Sequence, residues 1–189
     1  GLANSLALKA AGITRGTRPI PGGTIVKDPK TGEPTGVLKD EAMGPVYAAV
    51  PATTPAQDDA ALARAMSFMA SKGVTAVAAV SSPWNEVAAF KRARVAGTLT
   101  LRVALFPGLS DWHRVADTMT ADGPGDDWLR LAGVKGFVDG SLGSTTALFF
   151  DPYEDERGTM GLLVTPEDSL RSQIGRADSA GLQVVVHAI

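Results

Sequence analysis

Gly73-Val74-Thr75-Ala76-Val77-Ala78-Ala79-Val80-Ser81-Ser82-Pro83-Trp84 is the stretch on which the fold class turns. Gly73 closes a helical pattern, as glycine does at a helix C-terminus. The run at 74–80 is apolar, with no strict polar alternation. Such a run fits a strand covered on both faces, the signature of a parallel sheet. Ser82-Pro83 then has the chemistry of a helix N-cap and a first-turn proline. A dinucleotide-binding fold would place a glycine-rich turn directly after such a strand. Val80 leads instead to Ser81-Ser82-Pro83-Trp84, which favours a barrel over a Rossmann-like sheet.

The same rhythm extends in both directions from this stretch. Upstream, 57–72 reads as a helix with Leu62, Ala65, Met66 and Met69 on one face. Downstream, a helix runs from Ser82 to about Ala96, with Gly97 at its end. An apolar strand follows at 99–106. Asp111 is placed to cap a helix that carries Trp112, Val115, Ala116 and Met119. The next strand covers 129–138. Thr165-Pro166-Glu167-Asp168 resembles a capping box before a helix lined by Leu170, Ile174 and Ala177. Gly181 stops that helix, and 182–187 is the last strand, read as buried. Helix and strand alternate four times, so the expectation is a parallel sheet in chain order covered by helices.

Residues 1–55 lack this rhythm and are rich in Gly, Pro and Thr. A short helix from Ser5 to Ala11 is capped by Asn4 and stopped by Gly12. Thr24–Val26 and Val37–Leu38 form the arms of a hairpin turned by Pro29-Lys30-Thr31-Gly32. The chain is therefore read as a loop-rich segment, 1–55, followed by part of an α/β barrel domain, 56–189.

Composition narrows the function classes. With 44% hydrophobic and 20% charged residues, the 189-residue chain is an ordinary globular sequence. A net charge of −2 with dispersed lysines and arginines gives no nucleic-acid or acidic-membrane footprint. No apolar run reaches the roughly 20 residues of a membrane span. Zero cysteines exclude disulfides and thiolate metal sites. The chain opens at Gly1 without a targeting pattern and stops at Ile189 inside an apparent core strand, so it reads as an internal piece of a longer protein. Localisation is unread, with a weak lean to the cytoplasm. Strand edges left open would favour self-association.

Two strand ends carry chemistry. His187 follows the apolar run Val184-Val185-Val186, where a neutral imidazole suits a metal ligand or a general base. A core histidine bonded to a backbone carbonyl fits the same pattern. Lys135 lies inside an apolar strand and shares a face with Asp139. Burial lowers a lysine pKa, and a neutral amine reacts with carbon dioxide to give a metal-binding carbamate. An ion pair with Asp139, or snorkelling, accommodates the same residue. Asp139-Gly140-Ser141 opens a small-residue loop that can bring backbone amides close to a ligand, or serve as a plain turn. His113 reads as a surface residue.

Taken in order, several segments resemble the amidohydrolase 3 family, near N-substituted formamide deformylase. They are Asn4-Ser5-Leu6-Ala7-Leu8 with Gly12-Ile13, Pro21-Gly22-Gly23, 31–38, 134–144 with Thr146-Ala147, and His187-Ala188-Ile189. The resemblance spans nearly the whole chain. It implies a (β/α)8 TIM barrel, of which this chain would supply about the second to fifth strands. It also implies metal-dependent hydrolysis of amide or related C–N bonds, of the N-acyl or N-formyl amine type, with one or two divalent ions, most simply zinc. On this pattern His187 is the fifth-strand ligand and Lys135, carboxylated, the fourth-strand ligand. Asp139, Gly140 and Ser141 would face a small-molecule amide. The family's His-x-His pair would precede Gly1, and a later histidine and aspartate would follow Ile189. Thr145 stands where many relatives have arginine. With two candidate ligands, short of the three or four a zinc site needs, the chain alone should be inactive. A catalytically silent barrel module for binding or assembly is the competing class.

Overall fold

The computed structural model describes all 189 residues. They divide into two compact units. One comprises Gly1–Ala52, Phe137–Glu167 and His187–Ile189; the other comprises Thr53–Gly136 and Asp168–Val186.

The first unit begins with helix α1 (Ser5–Ala10), where the Asn4 side chain accepts the Ala7 N–H. Strands β1 (Gly23–Lys27) and β2 (Pro34–Asp40) form the expected antiparallel hairpin, with Ile25 opposite Leu38. Its turn is organised by Asp28, whose carboxylate accepts the Lys30 and Thr31 N–H groups, an Asx-type turn. A 3-10 turn at Glu41–Met43 and helix α2 (Gly44–Ala49) follow; neither was expected from periodicity. Ile13, Leu38 and Ala42 make the small core here, with Leu8, Ile20, Ile25 and Val46 packed around them.

The second unit carries the alternating part. Helix α3 (Pro55–Ser71) starts at a full capping box. The Thr54 hydroxyl accepts the Gln57 N–H, and the Gln57 side chain accepts the Thr54 N–H. Strand β3 (Ala76–Val80), helix α4 (Trp84–Val95), strand β4 (Arg102–Phe106), helix α5 (Trp112–Asp122) and strand β5 (Leu129–Leu131) follow in turn. β3 pairs with β4 and β4 with β5, both in parallel. Strand β6 (Val134–Phe137), helix α6 (Glu167–Ser179) and strand β7 (Val184–His187) complete the chain. A parallel bridge joins Gly108, just past β4, to Lys135 on β6. β6 and β7 run the same way, since Val134 N–H donates to Gln183 and Val138 N–H to His187 four residues on. The alternating part is thus α/β, with a parallel three-stranded sheet in the order β3-β4-β5 and a separate parallel pair, β6-β7.

Four expectations need correction. The strand at 129–138 is two strands, because the chain breaks at Ala132-Gly133. Gly133 has φ 159°, and a Cβ there would lie 2.1 Å from the Gln183 carbonyl oxygen. Ser82 does not cap α4: its hydroxyl is buried and donates to the Ala79 carbonyl, leaving Pro83 at the cap position. Asp111 sits at the start of α5 without capping it. Its carboxylate accepts the Trp84 indole N–H at 2.8 Å, and the Arg114 guanidinium stacks 3.8 Å from that ring. The last strand is half-buried along its whole length instead of buried.

Candidate functional site

A pocket of about 360 Å³ lies in the first unit, lined by Asp40, Glu41, Tyr47, Phe137 and His187 among others. Asp139, Gly140 and Ser141 also line it. The structure therefore gathers four of the five residues singled out from sequence. The fifth, Lys135, belongs to the second unit.

His187 ends β7. Its Nε2 lies 2.7 Å from the Gly140 carbonyl oxygen and 3.7 Å from an Asp139 carboxylate oxygen. The Phe137 ring stands beside it, with centroids 5.8 Å apart. The imidazole is one-third exposed, so one edge is held while the ring stays open to the pocket.

Asp139 is 2% exposed, and its carboxylate is committed internally. It accepts the Leu148 N–H at 2.9 Å and the Ile189 N–H at 3.3 Å. Those bonds tie the loop after β6 to the chain after His187. Asp139 is thus a wall and a tether more than a free substrate ligand. The loop closes on itself through Thr146, whose hydroxyl accepts the Ser141 N–H and contacts the Ser144 hydroxyl. Gly140 N–H donates to the Thr146 carbonyl. Tyr153 pins the loop's far end by donating to the Ala147 carbonyl at 2.7 Å. Burial, and then the Asp139 carboxylate, push that phenol's pKa up.

Sequence reasoning missed Asp40 and Glu41. β2 ends at Asp40, whose φ of 49° and ψ of −127° form a strained backbone for a residue with a Cβ. One Asp40 carboxylate oxygen, Oδ2, is buried without a hydrogen-bond partner. Glu41 is exposed and its side chain makes no hydrogen bond or ion pair. The available signal was a pair of carboxylates directly after an amphipathic strand, which by itself reads as a hairpin end.

In the second unit, Lys135 is half-buried on β6. Its backbone N–H donates to the Pro107 carbonyl, and its Nζ donates to the Gly136 carbonyl at 2.7 Å. Burial pulls its pKa below the ordinary lysine range. Two larger clefts of about 480 Å³ also lie in this unit, against α3; neither contains a histidine. His113 is exposed on α5, as its position suggested. No three His, Asp or Glu side chains of the chain are grouped to hold a metal ion by themselves. No helix is long and apolar enough to cross a membrane.

Comparison with known proteins gives this geometry a context. The profile of the amidohydrolase family matches residues 1–189. The chain is 38% identical over 199 residues to Protein LONG AFTER FAR-RED 3 of Arabidopsis thaliana, covering 100% of the chain and 34% of that protein. It is 36% identical over 194 residues to the putative amidohydrolase YtcJ of Bacillus subtilis strain 168, covering 98% and 35%. It thus spans about a third of the length of these relatives. Two solved structures, both uncharacterised metal-dependent hydrolases, share its fold. The Pyrococcus horikoshii OT3 protein superposes with a TM-score of 0.71 at 27% identity, over 100% of this chain and 37% of that one. The Pyrococcus furiosus protein gives 0.70 at 28% identity, over 98% and 37%.

Proposed function

Since the chain belongs to the amidohydrolase family, we propose that it forms part of a metal-dependent hydrolase of amide or related C–N bonds, of the N-acyl or N-formyl amine type. The full protein would be a (β/α)8 barrel to which this chain contributes about the second to fifth strands. The observation that carries the reading is His187: an imidazole at the end of a parallel strand, held on one edge and open to a pocket, where barrel enzymes keep their chemistry.

Two side chains, one in each unit, have donor chemistry suited to a divalent metal. His187 offers an imidazole and Lys135 an amine whose pKa burial has lowered. Bound zinc or a similar ion would polarise the scissile carbonyl and lower the pKa of water. His187 would hold the ion through a ring nitrogen, and Asp139 keeps the His187 segment in register through Ile189. Lys135 would act as a carbamate. The lone pair of its neutral Nζ adds to the carbon of carbon dioxide, a C–O π pair moves to oxygen, and an N–H proton passes to water. Two donors fall short of a zinc site, so these 189 residues alone are expected to bind metal weakly and to be inactive.

The test of the lysine role is carbon NMR of the full-length protein equilibrated with labelled bicarbonate. A carbamate resonance that disappears in Lys135→Ala supports the reading. Absence of that signal, with Lys135→Ala retaining full metal, would reduce Lys135 to a snorkelling side chain.

A further inference from the structure

The pocket at His187 has a definite charge character. Its ionisable lining is Asp40, Glu41, Tyr47, Asp139 and His187, with no lysine or arginine. Lys39, next to Asp40 in the chain, turns to the Thr145 hydroxyl at 3.4 Å. The remaining wall is apolar and aromatic, with Met43, the Tyr47 ring, Phe137 and Val164. Of the three carboxylates, Asp139 is spent on backbone N–H groups. Asp40 has one buried oxygen without a donor, packed so that a Cβ on Gly140 would lie 3.1 Å from it. Glu41 is exposed and unengaged, so it is the carboxylate an incoming ligand meets.

We propose that this pocket selects substrates bearing a positive charge on a hydrophobic, aromatic group, and that Glu41 is the specificity-determining residue. The proposal rests on the amide-hydrolase reading and assigns its substrate class: formyl or acyl derivatives of amines with a second, cationic nitrogen. A cation gains from the carboxylate, and from ring faces such as those of Tyr47 and Phe137. An anionic substrate, such as an N-acyl amino acid, meets three carboxylates and no basic side chain in the lining besides His187. Any bound metal adds positive charge at His187, so discrimination is assigned to Glu41 and not to the ligand side.

Three N-benzylformamides of equal size test it, carrying 4-aminomethyl, 4-methyl or 4-carboxy groups, assayed on the full-length metal-loaded protein. The expected order of kcat/KM is cation, neutral, anion. Glu41→Gln should remove about 1.5- to fivefold of the cation's advantage over the neutral substrate, the range for an exposed ion pair. Glu41→Lys should invert the order of cation and anion. Calorimetric binding of benzylammonium and of benzoate gives a second readout independent of turnover. Hydrolysis of all three without charge preference, or an equal loss on all three in Glu41→Gln, overturns the proposal and leaves the hydrolase reading standing. No turnover of any amide, with benzylammonium binding weakened by Glu41→Gln, overturns the hydrolase reading and keeps the pocket assignment. No turnover and no charge-dependent binding overturns both.

Discussion

Gly140→Ala tests the loop that holds His187. A Cβ at this position would lie 1.9 Å from the Thr146 hydroxyl oxygen and 2.5 Å from the Thr146 Cβ. Thr146 is 2% exposed and Ala147 fully buried, so neither can move outward cheaply. Overpacking of this kind costs about 1–3 kcal/mol. Displacing Thr146 also breaks its bond from the Ser141 N–H, worth about 0.5–1.5 kcal/mol. The sum is roughly 2–4 kcal/mol. At about 2–4 °C of Tm per kcal/mol for a chain of this size, the midpoint should fall by about 4–16 °C. Gly143→Ala is the control, because a Cβ there meets nothing within 4 Å, and surface changes of that type stay within about 0.5 kcal/mol. Both variants are read by thermal unfolding followed by circular dichroism. Equal midpoints for the two would refute the packing described around Thr146.

Three further outcomes follow from local geometry. Asp40→Gly should raise stability by about 1 kcal/mol in urea unfolding, by relieving the positive φ and removing a buried oxygen without a donor; a loss instead would show that Asp40 has an uncounted partner. Thr54→Ala should cost about 1 kcal/mol through its capping box with Gln57, read in the same unfolding assay, and an unchanged midpoint would show that α3 does not depend on that cap. The Asp126 carboxylate is held down to about 2 by the Arg94 guanidinium and the Leu129 and Trp128 N–H groups. Its stabilisation is therefore present above the ordinary aspartate range and lost as pH falls from about 4 to about 2. Asp126→Asn should flatten the stability–pH curve in that window, and an unaltered curve would contradict the contacts.

The parallel α/β order was legible because it rests on features local in sequence. Gly73, Gly97 and Gly181 mark three helix ends, and the apolar runs between helices mark the strands. The hairpin was legible for the same reason, since Pro29-Lys30-Thr31-Gly32 carries turn chemistry, although the Asp28 carboxylate that organises the turn was not singled out. What escaped depends on tertiary partners. Ser82 and Asp111 look like caps, yet a carbonyl and an indole N–H compete for them successfully. The break at Gly133 follows from a close approach to Gln183, 50 residues away. At the site, His187 stood out because it ends an apolar strand. Asp40 and Glu41 did not, because only the folded hairpin brings its end to the loop after β6.

The most direct measurement is metal content and amide turnover of the full-length protein carrying His187→Ala, with His113→Ala beside it. A metal ligand at 187 predicts loss of stoichiometric metal and a fall in kcat/KM of at least about a hundredfold, while His113→Ala, on an exposed helix face, keeps both. Full metal and full turnover in His187→Ala would make His187 a strand-end histidine bonded to the Gly140 carbonyl and nothing more.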